Sequence, residues 1–488
     1  MISWLYTTKA RVFRLIIDAI SVEATLNEVK ALLAQETSLS PALRAALNVL
    51  LALVAALLQR VNLNSRNSSK PPATDPNRPK TPKPKGQRKP GGQNGHVGTT
   101  LQPVEEPDEV KVLTIDRSTL PEGNYRPAGF EKRQVFDLDI ALIVTEYRAE
   151  ILADSQGQRF TAPFPDGVSQ RVQYGPVIKA HAVYLSQQQL LPYHRVEDYF
   201  REQLQIPLSA GSLFNFNQEA FERLADFEPW VCDQLAHAEV VHADETGINV
   251  GGQRQWLHCA ANAQYTGFFA HRKRGTEALD AIGILPRFHG LLCHDHWKPY
   301  FRYDCLHSLC NAHHLRELEW AFEQDGQAWA KAMQDLLIEC NQAVHQAGGC
   351  LDAEHAETFR SRYRTLLQQA DTECPPPDPD RSPPRRGRIK RSKSRNLLER
   401  LRDFEDETLR FMTLPQAPFT NNQGENDLRM TKVQQKISGC FRSQAGAQMF
   451  CRIRSFLSTC RKQGISSTRA LTSLFQRQSL DFSVFFAQ

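Results

Sequence analysis

The sequence predicts a multidomain α/β protein, and three observations predict it. At 488 residues the chain is long enough for roughly three domains of ~150 residues each. A basic stretch rich in proline and glycine at 64–98 interrupts it. After residue 238 the apolar pattern turns from helical to alternating. There AEVVHADETGINV, RQWLHCAANAQ and YTGFFAHRKRG read as three strands, with turns at Gly251–Gly252 and around Gln264. TEALDAIGILPRF follows as a helix and HGLLCHDHW as a fourth strand. Three antiparallel strands, a helix and a further strand open a ribonuclease H-like fold, which is the core expected here.

Charge and cysteine usage narrow the partners and the compartment. The net charge of +5 is modest, yet basic clusters at 66–89, 381–395 and 429–477 are each nearly free of acids. Such patches suit a polyanion, and nucleic acid is the natural one. All eleven cysteines lie at or after Cys232, irregularly spaced, odd in number and without a C-x-x-C pair. This argues against a disulfide framework and for a reducing compartment. The apolar run ALNVLLALVAALL at 46–58 falls short of the ~20 residues that span a bilayer. The N-terminus mixes charges into its apolar residues and shows no small-residue cleavage site. The expectation is a soluble cytoplasmic protein, associated with the nucleoid when bound and with no membrane partner.

The elements then follow in order. Residues 1–63 form an N-terminal helical segment, where Leu43, Leu47, Leu50, Val54, Leu57 and Val61 recur in steps of four and three. That stripe suits either a short coiled-coil seam or an ordinary amphipathic helix. Residues 64–99 are a disordered basic linker, with eight basic residues in 64–98 against the single acid Asp75, free to follow phosphates without reading sequence. Residues 100–170 hold a small β-module, read from the β-branched and aromatic runs between 110 and 165. Residues 171–236 turn helical, and YHRVEDYFREQLQIPLSAGSLFNFNQEAFERL has the arrangement of a helix-turn-helix or of a plain helical hairpin. The core spans 237–440, with a helical insertion at about 315–410 carrying the run PPRRGRIKRSKSR, and a basic helical tail closes the chain at 441–488.

Three carboxylates stand out within the core. Alternation places Asp244 and Thr246 on one face of the first strand and Glu245 on the other. Asp295 sits where the buried fourth strand emerges, and strand ends are where open α/β sheets build sites. Glu425 stands at the edge of a segment, Leu428 to Leu480, with ten Lys or Arg and no acid. It either completes a capping box with Asn422 or holds a cation. If the first and fourth strands are neighbours, Asp244 and Asp295 converge and repel unless a cation lies between them. Magnesium, an oxygen-seeking ion, suits that place, and Glu425 would complete a two-metal clamp. Fifty-four acids offer many such triples, so the sequences around these three decide more than their spacing.

Those sequences resemble a known family. HADET, CHDHWKPY and TNNQGENDLRMTKVQQKISGCFRS look like the DDE motifs of the insertion-sequence-sixty-six-type transposases. The likeness extends to NSSKPP, RKPGGQNGHVGTTL, CNAHHLREL and FCRIRSFLSTCRKQG. The resemblance puts the catalytic and metal-binding triad on Asp244, Asp295 and Glu425. It implies cleavage of DNA at the ends of a mobile element and strand transfer into a target, with two Mg2+ or Mn2+ ions on a ribonuclease H-like core. A homo-oligomer on DNA and accessory proteins of the same element are the implied partners. A non-catalytic DNA-binding derivative, or a nuclease that does not join strands, would be built on the same residues.

The remaining candidates follow from charge and position. Candidate DNA contacts are Arg429, Lys432, Lys436 and Arg442 near Glu425, Arg386, Arg388 and Lys390 in the insertion, and Lys83, Lys85 and Arg88 in the linker. One departure matters: members of that family usually carry a cysteine-pair zinc ribbon before the helical region. Here no Cys or His lies between 100 and 180, so the β-module is expected to bind no zinc. Cys310, His313 and His314 are possible ligands, although a buried thiol beside a packed histidine is the commoner arrangement. No zinc is expected in the chain.

Overall fold

The computed structural model describes residues 2–3, 16–17, 20–61, 63–64, 66–68, 101–138, 140–377, 391–476 and 480–487. The chain divides into two units, one of Met1–Arg78 with Ala149–Gln488, the other Pro79–Arg148. The first unit is built on a five-stranded sheet. Its strands are β1 (Val240–Val250), β2 (Gln253–Ala261), β3 (Thr266–His271), β4 (Leu291–His294) and β5 (Leu306–Leu309). They lie in the order β5-β4-β1-β2-β3. The first three pair antiparallel, whereas β4 runs parallel to β1 and β5 parallel to β4.

Two local features fix this topology. Gly251 and Gly252, at φ +57° and +82°, turn β1 into β2 through the left-handed conformations that tight hairpins need. Gly290 begins the approach of β4 to β1, where a Cβ would lie 2.5 Å from the Glu239 carbonyl oxygen. No side chain fits there, so the two strands can close together only over glycine.

The sheet is covered by helices numbered here in chain order. After α1 (Val22–Gln35) and α2 (Pro41–Val61) come α3 (Pro176–Val183), α4 (Tyr193–Leu204), α5 (Ala210–Arg223) and α6 (Phe227–Ala236). Helix α7 (Thr276–Ile282) links β3 to β4. Between β5 and the acid-bearing helix lie α8 (Asn311–Asp325), α9 (Ala328–Gln346), α10 (Ala353–Glu373), α11 (Lys393–Asp403) and α12 (Glu405–Leu409). Helices α13 (Asn422–Ser438), α14 (Gln444–Lys462), α15 (Ser467–Gln476) and α16 (Phe482–Phe485) complete the described chain.

One apolar core joins α3 to α6 with the sheet and α14 to α16, through Phe227, Val241, Phe456 and Leu471 among others. A second core, with Leu318, Leu337, Tyr363 and Leu398, belongs to α8 to α12. Helix α14 also protects the sheet edge. Ser455 Oγ accepts from the Phe268 amide at 2.8 Å and Thr459 Oγ1 from the Thr266 amide at 3.1 Å. These bonds occupy amides of β3 that an open edge would leave as a template for aggregation.

The structure departs from the sequence reading in four places. The runs at 110–165 form only one short hairpin among the described residues, Ile151–Ala153 with Arg159–Thr161. Their apolar side chains, such as Leu113 at 88% and Ile115 at 72% exposure, are left uncovered among the described residues, and alternation without a second layer does not hold a sheet. The linker also begins later than residue 64. Asn64 and Asn67 are buried, and Asn67 Nδ2 donates to Glu323 Oε2 of α8 at 2.7 Å.

The third departure is α2. The apolar run extends back to Pro41, and the window Pro41–Leu58 is long and apolar enough to cross a membrane by length and composition, with 6% of it buried. The fourth is the C-terminal tail, where α14 is core rather than a basic surface. Arg452 pairs with Glu228 at 2.9 Å, and Arg454 is buried against the Gln187 and Gln188 carbonyls.

Candidate active site

The sheet register brings two of the acids together. In the parallel pair, Val240 lies opposite Leu291 and His242 opposite Cys293. Asp244 lies two residues beyond the last of these pairs on β1, and Asp295 directly follows the last residue of β4, near enough for its charge to act on Asp244. Asp244 Oδ1 accepts the Glu245 amide at 2.8 Å. Burial pushes the Asp244 carboxyl up to about 8, and the neighbouring charges of Glu245, Asp295 and Glu425 push it the same way. A buried carboxyl among other acids keeps its proton well above the ordinary carboxylate range.

Asp295 sits on a constrained turn. Its Oδ1 accepts from the Trp297 amide at 3.1 Å, and His296 between them holds φ +71°. A non-glycine residue in that region stores strain that the surroundings must hold, a state that clusters at functional sites. The His296 ring stacks edge-on against Phe404 at 4.5 Å, and His296 Nε2 is buried without a hydrogen-bond partner. His294, fully buried, bonds His307 at 3.1 Å and serves the packing beneath the turn.

Glu425 arrives on the first turn of α13, but no capping box forms with Asn422. The N-cap is Asn421, one residue earlier, and its side chain does not cap the helix. That side chain ties α13 to β1 instead: Oδ1 meets His242 Nδ1 at 2.8 Å, and Nδ2 donates to the Ala243 carbonyl at 2.9 Å. The Asn421 amide donates to Cys310 Sγ at 3.1 Å. Glu425 Oε1 then lies 3.9 Å from Cys310 Sγ, 3.6 Å from His313 Nδ1 and 3.7 Å from Arg316 Nη2. Among the described residues, the three ligating side chains whose donor atoms lie within 4.8 Å of one another are Cys310, His313 and Glu425, and not the three acids. His314 stays out of this group, buried and bonded to Asn311 Oδ1 at 3.1 Å.

The opposite face of β1 holds a network that the sequence did not signal. Glu245, 1% exposed, receives Arg274 Nη2 at 2.5 Å and the Tyr300 hydroxyl at 2.6 Å. The Arg274 guanidinium lies over Trp256 at 4.8 Å and Trp297 at 4.5 Å. The D-E dipeptide in HADET and the Trp two residues after Asp295 were the available signals. Their partner at 274 is separated from both in sequence and is met only through the fold.

Of the candidate DNA contacts, Arg429, Lys432 and Lys436 are exposed on α13, and Arg442 is exposed beyond it. Lys432 lies close enough to Asp244 for the two charges to act on each other. Arg386, Arg388, Lys390, Lys83, Lys85 and Arg88 lie outside the described residues. At the end of the insertion's basic run, Arg395 is buried and bound to Asp371 at 2.6 Å and Glu399 at 2.9 Å. Its charge is spent inside the protein.

Comparison with known proteins places most of this chain in one family. The transposase IS66 family matches residues 171–449. A family of unknown function, DUF6444, matches residues 19–102. No curated protein matches the chain.

Proposed function

The chain belongs to the IS66 family of transposases, and from that premise we propose that it cleaves DNA at the ends of a mobile element and transfers the strand into target DNA on a DDE-type site of Asp244, Asp295 and Glu425. Membership itself gives a DNA-acting enzyme of transposition. The observation that carries the finer reading is Asp244 on β1 with Asp295 just past the end of the adjacent parallel strand β4, and the Asp244 carboxyl raised to about 8 by burial and by the charges of Glu245, Asp295 and Glu425. The sheet order, three antiparallel strands followed outward from β1 by two parallel ones, supports a ribonuclease H-like core.

The donor set fits Mg2+ or Mn2+, because hard cations take carboxylate oxygens and the charges of Asp295 and Glu425 both act on Asp244. Asp244 and Asp295 would hold the ions, and Glu425 would complete the set. When bound, such ions activate the attacking oxygen and stabilise the leaving one.

The chain's own residues do the rest. Asn421 fixes the start of α13 against β1, so that Glu425 is offered at the edge of the acid pair. Lys432, Arg429 and Lys436 line one helix beside that edge, where they neutralise the phosphates on either side of the scissile bond. Helices α4 and α5, joined by a turn through the left-handed Gln205, recognise the element ends, while the basic segments at 69–98 and 381–390 follow backbone phosphates. Copies of the protein pair the two ends, with accessory proteins of the element as further partners.

The test is a cleavage and joining assay on end-bearing DNA with Mg2+. Asp244→Asn and Asp295→Asn should lose both activities while still binding DNA, and full activity in either removes that residue from the site. Hydrolysis without joined products identifies a nuclease instead.

A further inference from the structure

We propose that Cys310, His313 and Glu425 form a site for one zinc-class divalent cation, and that filling it holds Glu425 away from Asp244 and Asp295. The cation site stands on these side chains alone. Its effect on activity rests on the carboxylate reading above.

The distances carry the first part. A thiol sulfur, an imidazole nitrogen and a carboxylate oxygen lie within 4.8 Å of one another. The separations from Glu425 Oε1 are 3.9 Å to Cys310 Sγ and 3.6 Å to His313 Nδ1. Ligands ~2.0–2.3 Å from a tetrahedral ion lie about 3.3–3.8 Å apart, so these are near the spacings of atoms that share an ion. The imidazole–carboxylate separation is too long for a hydrogen bond. His313 Nδ1 is buried and without a hydrogen-bond partner, a state that a bound cation would relieve.

Sulfur and nitrogen donors select zinc, cobalt or cadmium over magnesium. The fold also supplies support and access. Cys310 directly follows β5 at the N-cap position of α8, its side chain free of any capping bond, and His313 follows on the first turn of that helix. The Asn421 amide, 3.1 Å from Cys310 Sγ, would stabilise the thiolate from outside the ligand set. On binding, the thiol proton leaves to solvent. His313 and Glu425 remain 27% and 30% exposed, which leaves an entry path and a fourth position for water. Without the ion, Arg316 at 3.7 Å is the countercharge that faces Glu425. The packed histidine anticipated from the sequence is His314, whereas its neighbour His313 offers its nitrogen to the cluster.

The experiment titrates the full-length, thiol-reduced protein with Co2+ and reads its absorption. One equivalent should produce a thiolate-to-cobalt charge-transfer band and the visible bands of a tetrahedral ion. Cys310→Ser should remove the charge-transfer band, and His313→Gln should weaken binding by about tenfold or more, with thermal melts showing that both variants fold. No thiolate band in the wild type, or the same band in Cys310→Ser, overturns the site. Cleavage in saturating Mg2+, with and without one equivalent of Zn2+, tests the gating. Zinc should slow the wild type by about tenfold or more, and the loss of Cys310 should relieve it. Bound zinc with an unchanged rate overturns the gating. A wild type inert in Mg2+ alone overturns the carboxylate reading and the gating with it, and leaves the cation site to stand on the cobalt bands.

Discussion

The two faces of β1 carry adjacent carboxylates with opposite fates. Glu245 is 1% exposed, yet Arg274 and Tyr300 hold both its oxygens. Burial still lifts its carboxyl, and those two partners pull it back. Asp244, one residue earlier, is raised by burial first and then by the charges of Glu245, Asp295 and Glu425, with no cationic side chain bonded to it among the described residues. An acid supplied with partners on its own face serves the fold, because a buried charge must be paired to be tolerated. An acid left among acids is held either by keeping its proton or by a cation. Local alternation puts the two on opposite faces, but only what the fold brings to each face decides their fates.

Substitution on the unpaired face should cost the most activity. On the proposed carboxylate site, Asp244→Asn should reduce DNA cleavage by about a thousandfold or more, since one clamp ligand would be lost. The same change should leave the melting temperature of the metal-free protein unchanged below pH about 8, where Asp244 keeps its proton, and raise it above, where it removes a repelling charge. A variant that lost activity by unfolding would erase the distinction between the faces, and a thermal melt beside the cleavage assay reads this.

Glu245→Gln should do the reverse. It strips Arg274 of its partner beneath Trp256 and Trp297. Because Arg274 is 38% exposed, the cost is smaller than for a fully buried pair, about 1–3 kcal/mol. Urea unfolding measures it. If the DNA-binding surface is intact, the remaining activity at low temperature should exceed that of Asp244→Asn by a wide margin.

How much of this was legible in the sequence depends on the distance between partners. Strict alternation in VVHADETGINV separated Asp244 from Glu245, and the strand–turn–strand pattern around Gly251–Gly252 is a real hairpin. β5, only four residues long, is too short to announce itself by period. Asn421 looked like one of several amides before a helix, and its role depends on His242 and Ala243, some 180 positions away in the chain. The approach of Glu425 to Cys310 spans 115 positions and has no local trace. The runs at 110–165 misled for the converse reason: their alternation is genuine, but most of those residues lie in no strand, and Leu113 and Ile115 face solvent.

The contrast between the faces should also show in a pH series. In the unfolded chain an aspartate loses its proton near ~4, whereas in the folded, metal-free protein Asp244 keeps it up to about 8. Between these values the folded state binds the extra proton. Stability should therefore fall as pH rises across that window, and the loss is complete above it. Subtracting the melting curve of Asp244→Asn isolates the contribution. A difference that is flat with pH, in chelator, would mean that Asp244 is already neutralised by a partner. Mg2+ should restore stability most at the alkaline end, where the carboxylate is free to bind.

A smaller effect concerns the charges outside both faces. Arg429, Lys432 and Lys436 are exposed on α13, and Lys432 lies near enough to Asp244 to feel its charge. If they meet phosphates, replacing each with Gln should weaken binding to end and random DNA alike, and flatten the salt dependence by ~0.9 for every phosphate no longer neutralised. Arg452 and Arg454 belong to the same acid-free stretch of sequence, yet they are turned inward to Glu228 and to the Gln187 and Gln188 carbonyls. Replacing them should cost stability and leave the salt slope where it was. The two sets thus repeat, for cations, the division seen between Glu245 and Asp244. Filter binding across a salt titration, with melts of all five variants, decides it. An unchanged slope in the α13 variants would show that these side chains do not touch the backbone. Loss of end preference with an unchanged slope would show that they read bases instead.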